Sequence, residues 1–380
     1  MNNTVYFDNA ATTYPKPECV LYESYRCMRE YCGNSGRGSN RMAMASSEAI
    51  YKCRQRIKEL FSAPDEEHVI FTYNATYAIN TAIKCFIKSG SHVLISDIEH
   101  NAVYRPVIAE ALKGRICYST FSTFDGRAES ILADIERKTR YNTSAIIVNG
   151  ASNIFNMRLP LEAIGRYAKK RNLIFIVDAS QLAGHESINM ARCNISLLCA
   201  PGHKGLYGPQ GTGILVIGEG VRAYNTLIEG GSGYNSKDIR MPSTLPEMFE
   251  AGTLSTPAIA GLCAGVEYIM HAGIDNVRDY EIRLGNAMRS VFLSYPDITV
   301  HGDFCDGGVF SVTSRKHSTE EFAALLDAEG IMVRSGFHCA PLAHQKIGTQ
   351  DTGTVRFSLG IFNTENDIEV LDSTLKKLLK

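Results

Sequence analysis

A lysine in a loop rich in glycine and proline is the first candidate for chemistry. Lys204 lies in the segment Ala-Pro-Gly-His-Lys-Gly (200–205), directly after an apolar run at 194–200. An amine that is partly shielded from water has a lowered pKa and can form a Schiff base with an aldehyde. An ordinary surface lysine in a turn is the alternative, and this segment alone does not decide between the two.

A carboxylate and an amide follow another apolar run. Asp178 comes directly after residues 173–177, and Gln181 lies three positions further on. A buried carboxylate is costly unless a cation or hydrogen-bond donors receive it, and a protonated pyridine nitrogen is one such cation. Gln181 could donate to a phenolic oxygen on the same ring. Taken alone, Asp178 is more commonly a capping residue of a loop.

Two further candidates follow predicted strands. Thr76 lies in Asn-Ala-Thr (74–76) at the start of a predicted helix, where free N–H groups and the helix dipole favour a phosphate. His100 follows the predicted strand 92–96 and could stack on a flat heterocycle. For each residue alone, the commoner role is a helix-capping threonine or a polar loop histidine.

One of the eleven cysteines has distinctive neighbours. Cys339 lies in Arg-Ser-Gly-Phe-His-Cys-Ala-Pro (334–341), a polar turn bounded by glycine and proline. Such surroundings favour an accessible thiolate. A zinc site made of His338, Cys339 and His344 would lack a fourth ligand at a usual spacing, so we predict no metal site. The odd cysteine count without a CxxC pair predicts no disulfide framework, and most of the other thiols are expected to be small buried side chains.

The composition excludes several classes of protein. Lys and Arg number 39 against 40 Asp and Glu, so no basic excess favours nucleic acid as a partner. An apolar content of 44% in 380 residues predicts a globular chain rather than disorder, with either two lobes or one large and one smaller domain. The first residues do not resemble a secretory signal, and no apolar run reaches the ~20 residues of a membrane span. We therefore expect a cytoplasmic protein that does not bind a membrane.

The candidates are positioned by alternating elements. From residue 46 to about 220, predicted helices and strands alternate, with Ser46-Ser47 capping the first helix and Pro64-Asp65 ending it. Continuous apolar strands between helices predict a mostly parallel α/β sheet, whose ligands bind beyond the carboxyl ends of the strands. Beyond about 260 the pattern predicts a small α+β domain, with helices at 258–272 and 275–293, a helix opened by a capping box at Ser318, and a final helix from Thr364.

Seven short motifs in a fixed order carry a resemblance to a known family. The chain resembles the cysteine desulfurases of the class V aminotransferase family, which are pyridoxal-phosphate enzymes of the aspartate-aminotransferase fold, and is closer to the branch with selenocysteine lyases than to the branch with a long mobile cysteine loop. The resemblance runs from Tyr-Phe-Asp-Asn-Ala-Ala-Thr (6–12) to Val-Arg-Phe-Ser-Leu-Gly (355–360). The motifs are E-H at 99–100, S-N at 152–153, V-D-A-S-Q at 177–181, G-H-K at 202–204, E-A-G-T at 250–253, R-x-G-x-H-C at 334–339 and V-R-x-S-L at 355–359.

The resemblance implies a cofactor site on a large domain. It implies a pyridoxal-phosphate domain at 16–262 and a small domain at 263–380, with residues 1–15 packing on the latter. Lys204 would hold the cofactor, Asp178 would pair with its pyridine nitrogen, and His100 would stack on the ring. The remaining cofactor contacts would be those of Gln181 with the ring oxygen, and of Thr76 and His203 with the phosphate.

The resemblance also implies a substrate site and a dimer. Asn153, Arg334 and Arg356 would hold the substrate amino acid, with Arg356 on its carboxylate. Thr253 would reach the phosphate of a neighbouring subunit, which implies a homodimer with sites at the interface. Two positions depart from the pattern: Pro201 stands where many relatives have a hydroxyl residue, and Asn40 where relatives often carry His.

The implied reaction converts L-cysteine to L-alanine and leaves the sulfur on Cys339 as a persulfide. Lys204, Cys339 and His100 would be the catalytic residues, and a sulfur- or selenium-acceptor protein is a possible partner. The first alternative is that the same residues cleave L-selenocysteine, either instead of L-cysteine or in addition to it. Another class V aminotransferase or lyase gives Cys339 no role. A mere persulfide carrier would need none of Lys204, Asp178 and Arg356.

Overall fold

The computed structural model describes residues 4–36, 40–234, 237–302 and 304–379. In chain order the elements are β1 (Val5–Tyr6), α1 (Glu18–Glu30), α2 (Arg41–Phe61), β2 (Val69–Thr72), α3 (Ala75–Phe86), β3 (Ser91–Ser96), α4 (Asn101–Leu112), β4 (Ile116–Phe121), α5 (Ala128–Lys138), β5 (Thr143–Asn149), α6 (Leu161–Lys170), β6 (Ile174–Asp178), β7 (Leu197–Pro201), β8 (Gly213–Ile217), α7 (Thr256–Ala272), α8 (Ile274–Leu293), β9 (Ile298–His301), β10 (Val309–Ser314), α9 (Thr319–Ala328), β11 (Ile331–Met332), β12 (Arg334–Gly336), α10 (Pro341–Lys346), β13 (Thr354–Ser358) and α11 (Glu365–Leu378).

A seven-stranded sheet forms the centre of the fold. Its strand order is β2-β8-β7-β6-β5-β3-β4, and β8 runs antiparallel to both of its neighbours while the other pairs are parallel. This arrangement confirms the predicted α/β fold with a mostly parallel sheet. The carboxyl ends of β3, β5, β6 and β7 consequently lie along one edge, where ligands bind in sheets of this kind.

Apolar side chains of the central strands are buried on both faces. Ile146 and Phe175 pack with Ile57 of α2 on one face, whereas the next residues along the same strands, Ile147 and Ile176, pack on the other face. Successive side chains of a strand point to opposite faces. Continuous apolar runs are therefore what a sheet covered by helices on both sides requires.

A four-stranded antiparallel sheet, in the order β12-β13-β10-β9, lies in the C-terminal part. Phe292 of α8, Phe310 of β10 and Phe357 of β13 are buried together in its core. Strand β1 pairs in parallel with β11, so the start of the chain lies against this part of the fold. The small α+β arrangement predicted beyond residue 260 is present.

Helices α7 and α8 are separated by Gly273, whose φ is +80°, and they bend by 77° at this point. The predicted domain boundary between residues 262 and 263 falls inside α7, and the division into domains stays a prediction. Within the described ranges, no single helix is long and apolar enough to cross a membrane. Among the described residues, one bent pair, α7 and α8 taken together, meets that test of length and composition.

The predicted start of the first long helix is wrong. Helix α2 begins at Arg41, after Asn40, whose side chain accepts a hydrogen bond from the backbone N–H of Ala43 at 3.0 Å. Ser46 and Ser47 lie inside the helix, and the hydroxyl of Ser46 donates to the carbonyl of Tyr31 at 2.6 Å. Serine hydroxyls can satisfy carbonyls in this way as well as cap helices, which is why the pattern was ambiguous.

Candidate active site

A cavity of about 160 Å³ lies at the carboxyl ends of the central strands. It brings together seven predicted site residues: Thr76, His100, Asn153, Asp178, Gln181, His203 and Lys204. They lie at or just beyond the carboxyl ends of five different strands, and the order of the sheet places those ends side by side.

Lys204 lies in a tightly packed turn after β7. Its carbonyl accepts hydrogen bonds from the N–H of Tyr207 at 2.8 Å and from the hydroxyl of Thr13 at 3.0 Å. The next residue, Gly205, leaves no room for a side chain, because a Cβ there would lie 2.3 Å from the carbonyl oxygen of Ala183. Burial lowers the pKa of the Lys204 amine to about 8, helped by the charges of nearby arginines and opposed by Asp178. The amine is therefore poised between its charged and neutral forms near neutral pH.

Asp178 is the last residue of β6 and is 2% exposed. Its Oδ1 accepts hydrogen bonds from the backbone N–H and the hydroxyl of Ser180, and its side chain lines the cavity. Burial raises the pKa of this carboxyl, although both hydrogen bonds and the charge of Lys204 oppose the change. The pairing of Asp178 with Asn149 of β5 aligns the ends of the two strands.

The two cavity histidines are held in the neutral form. His100 caps α4, since its Nδ1 accepts from the N–H of Ala102 at 3.0 Å. Burial and then the charge of Lys204 lower the pKa of His100 to about 3, and burial lowers that of His203 to about 4. The Nδ1 of His203 lies 3.1 Å from the hydroxyl of Thr12. Neutral rings can present a flat face or a single N–H without adding charge to the cavity.

The start of α3 borders the same cavity. Asn74 is the capping residue, since its side chain accepts from the N–H of Tyr77 at 2.9 Å. Thr76 is the second residue of the helix and is exposed toward solvent. The first backbone N–H groups of a helix have no acceptor within it, so this end can receive an anion.

Arg356 of β13 places a buried positive charge next to Asn153, one of the residues that line the cavity. It is 2% exposed, its Nη2 lies 2.5 Å from Oδ1 of Asp8, and its Nη1 donates to the carbonyl of Asn153 at 3.1 Å. Burial lowers the pKa of Arg356, and the charge of Asp8 opposes that change. Among the described residues, Nε of Arg356 and Oδ1 of Asn153 are buried without a hydrogen-bond partner.

Cys339 lies in a turn that is hydrogen-bonded to residues at the cavity. The carbonyl of His338 accepts from Nδ2 of Asn153 at 2.9 Å, and the carbonyl of Cys339 accepts from the N–H of Asn101 at 2.7 Å. The φ angles of His338 and Cys339 are +48° and +55°, in the left-handed region that side chains disfavour. Two long-range hydrogen bonds thus hold an unusual backbone conformation, and the cysteine itself is exposed.

Comparison with known proteins identifies the family. The family model for class V aminotransferases matches residues 5–371. The chain belongs to the class V aminotransferase family. It is 28% identical over 385 residues to a probable cysteine desulfurase of Methanothermobacter thermautotrophicus, with 100% of this chain and 95% of the relative covered. It is also 30% identical over 391 residues to a probable cysteine desulfurase of Xylella fastidiosa strain Temecula1, with 99% and 91% covered.

A solved structure is very similar to this one. The apo structure of a cysteine desulfurase from Thermococcus onnurineus NA1 superposes with a TM-score of 0.92 at 28% identity, covering 100% of this chain and 95% of that one. Enzymes of this family generally depend on pyridoxal phosphate. The fold and the family predicted from the motifs are thereby confirmed.

Five of the singled-out residues are not among those that line the cavity: Cys339 and Arg356, described above, and Thr253, Arg334 and Asn40. Thr253 lines a separate cavity of about 390 Å³, together with the buried ion pair of Arg54 and Glu250. Arg334 is exposed on β12, directly opposite Arg356 in the strand pairing, and its charge contributes to the lowered pKa of Lys204. Asn40 caps α2, which accounts for an asparagine at that position.

Several residues at the site were not predicted from the sequence. Asn149 lines the cavity, Ser180 binds Asp178, and Asp8 binds Arg356. Asn149 could have been recognised, because it ends a predicted strand at the same edge as Asp178. Pro201, one of the two departures, is the last residue of β7 and lines the cavity.

Proposed function

We propose that this protein is a pyridoxal-phosphate-dependent cysteine desulfurase, which converts L-cysteine to L-alanine and transfers the sulfur to Cys339. One observation carries the proposal: Lys204 and Asp178 line one cavity, and the turn that presents Cys339 is hydrogen-bonded to Asn153 of that cavity and to Asn101, which directly follows the cavity residue His100. The desulfurase names of the relatives support the same conclusion.

The cavity residues fit the cofactor. Lys204 has the lowered amine pKa that bonding to an aldehyde needs, and Asp178 offers a buried carboxylate to a protonated pyridine nitrogen. The neutral ring of His100 can stack on the cofactor, and Thr76, His203 and the start of α3 can bind its phosphate. Gln181 donates one hydrogen to the carbonyl of Ala10 at 3.1 Å and keeps a second amide hydrogen for the ring oxygen.

Lys204 would move the proton that starts the reaction. Bound pyridoxal phosphate supplies an electron sink for negative charge at the substrate Cα. With a pKa of about 8, the Lys204 amine is neutral in part of the molecules near neutral pH and can take the Cα proton. The carboxylate of Asp178 would stabilise the positive charge on the pyridine nitrogen during this step. It need not move to do so, because Ser180 already holds one of its oxygens in place.

Arg356 and Asn153 would bind the amino acid. A guanidinium matches a carboxylate with two parallel hydrogen bonds. The unpartnered Nε of Arg356 and Oδ1 of Asn153 are the buried polar atoms that a substrate would satisfy. Arg334 would add a second positive charge on the same side.

Cys339 would receive the sulfur. Its thiolate attacks the substrate sulfur, so that a bond between the two sulfurs forms as the bond between Cβ and sulfur breaks. The electron pair of the broken bond stays with the carbon skeleton, which takes up protons and leaves as L-alanine. The balance is one cysteine and one thiol in, one alanine and one persulfide out, without an external oxidant or reductant.

Further features belong to the proposal. Thr253 would complete the phosphate site of a neighbouring subunit in a homodimer, and an acceptor protein would take the persulfide sulfur. The domains at 16–262 and 263–380 and a cytoplasmic location are likewise proposed. We propose L-cysteine rather than L-selenocysteine as the substrate, because the relatives named above are cysteine desulfurases.

The test compares Cys339→Ser with Cys117→Ser, a change at another exposed cysteine. We expect the Cys339 variant to bind cofactor and to respond spectroscopically to L-cysteine, while alanine release and persulfide formation collapse; selenocysteine cleavage should suffer less. The Cys117 variant should match the parent. An alkylating tag and mass spectrometry locate the persulfide. A tag on another cysteine, or alanine release by the Cys339 variant at the parent rate, would contradict the proposal.

A further inference from the structure

We propose that Asp8 is a positioning residue for substrate binding: its carboxylate fixes the buried guanidinium of Arg356 in the orientation that receives the carboxylate of the amino acid. The inference rests on the proposed function and adds a residue that selects for a substrate carboxylate.

The burial of Arg356 makes a partner for its charge necessary. The side chain is 2% exposed, and an unpaired charge at such a place is strongly unfavourable. Asp8, whose side chain is 20% exposed, supplies the compensating negative charge at 2.5 Å from Nη2. This charged hydrogen bond and the one from Nη1 to the carbonyl of Asn153 together restrict the orientation of the guanidinium group.

The hydrogen bonds of Arg356 leave some of its N–H groups available to a substrate carboxylate. A guanidinium has five N–H groups. One binds Oδ1 of Asp8 and one binds the carbonyl of Asn153, which leaves three, including the N–H at Nε that has no partner among the described residues. Asp8 and Asn153 therefore orient the group without using up its capacity for a two-point contact with a carboxylate.

The backbone holds Asp8 in place independently of Arg356. The N–H of Phe7 donates to the carbonyl of Met332 at 2.8 Å, and the N–H of Ser358 donates to the carbonyl of Phe7 at 2.7 Å. Asp8 itself forms an isolated bridge with Ser358, and its carbonyl accepts from the hydroxyl of Tyr6 at 3.2 Å. Because its backbone is held by these hydrogen bonds, Asp8 can set the orientation of the long Arg356 side chain.

The alternative hypothesis is that the Asp8 carboxylate competes with the substrate carboxylate for Arg356. In that case its carboxylate would occupy the site that the amino acid needs, and removing its charge would tighten binding. The two readings predict opposite changes in affinity, so one titration separates them.

The experiment titrates the holoenzyme with L-alanine and with ethylamine, which has the same amine but no carboxylate, and follows the cofactor absorbance. For Asp8→Asn we expect the affinity for L-alanine to fall about tenfold, while that for ethylamine changes less than about twofold. KM for L-cysteine should rise by a similar factor, with a much smaller change in kcat. Asp125→Asn, at an exposed position, should behave like the parent in both titrations.

The outcomes are distinct. Unchanged or tighter binding of L-alanine by the Asp8→Asn variant would overturn the inference, and so would an equal loss for both ligands, which indicates a general structural defect. Should that variant fail to fold, Asp8→Glu keeps the charge but displaces the carboxylate, and a loss confined to L-alanine is expected there too; equal titrations of this variant and the parent would refute the inference. A parent enzyme that binds both ligands but releases no alanine from cysteine would contradict the proposed function instead.

Discussion

Glu99 is a buried acid beside the active site, and we expect it to make stability depend on pH. The side chain is fully buried directly before His100. Its Oε1 accepts hydrogen bonds from the N–H and the hydroxyl of Ser96 and, at 2.8 Å, from the N–H of Asn149, whereas Oε2 has no partner among the described residues. Burial, and to a lesser extent the charge of Asp178, raise the pKa of Glu99 to about 8.

The magnitude follows from linkage. In the unfolded chain the carboxyl has its ordinary pKa of 4.5, so the folded state binds its proton more tightly. The stability that this proton provides is complete below pH 4.5 and is lost as the pH rises through 8. Glu99→Gln places an amide oxygen at Oε1 and an uncharged NH₂ group at Oε2, which mimics the protonated acid. We therefore expect the free energy of unfolding of this variant, relative to the parent, to gain about 1 kcal/mol at pH 5 and ~5 kcal/mol at pH 9.

Urea unfolding of the holoenzyme at pH 5, 7 and 9, followed by far-ultraviolet circular dichroism, measures this difference. Groups other than Glu99 titrate in both proteins and cancel in the comparison. Glu99→Leu is the control: it removes the acceptor of three hydrogen bonds and should destabilise the protein at every pH. A difference between Glu99→Gln and the parent that stays constant from pH 5 to 9, or a Gln variant that is less stable at pH 9, would refute the reasoning.

Three further changes test other parts of the site. Lys204→Ala should abolish turnover and the covalent link to the cofactor while allowing non-covalent binding; mass spectrometry after borohydride reduction checks this, and a retained link would exclude Lys204 as its attachment point. Asp178→Ala should lower kcat by about 100-fold or more with a much smaller change in substrate affinity, and near-normal kcat would make Asp178 a loop cap only. Lys346→Met removes a 3.3 Å ion pair between α10, which follows Cys339, and Asp97, which follows β3. Stopped-flow trapping should show persulfide formation slowed about fivefold with cofactor loading unchanged, and an unaltered rate would show that this ion pair does not position the cysteine turn.

Local signals predicted much of the fold, and long-range pairing explains what they missed. The strand ending in Asp178 and the helix that begins at Thr319 after Ser318 are encoded within a few residues, and both are present. The start of α2 was misplaced because the role of Ser46 depends on the carbonyl of Tyr31, fifteen positions earlier. The contact between Asp8 and Arg356 spans 348 positions and depends on the bridge between Asp8 and Ser358 of β13, which no local pattern shows.

Asn153 links the two halves of the proposed reaction. Its carbonyl accepts from Arg356, its Nδ2 donates to the carbonyl of His338, and its Oδ1 is buried without a partner among the described residues. One residue therefore contacts both the arginine that would bind the substrate carboxylate and the turn that carries Cys339. The backbone carbonyl of Asn153 holds the arginine and its side-chain amide holds the cysteine turn, so a substrate bound by Arg356 would lie near a thiol positioned by the same residue. In the proposed reaction, this arrangement would bring an exposed cysteine on a C-terminal turn to a substrate bound at the edge of the central sheet.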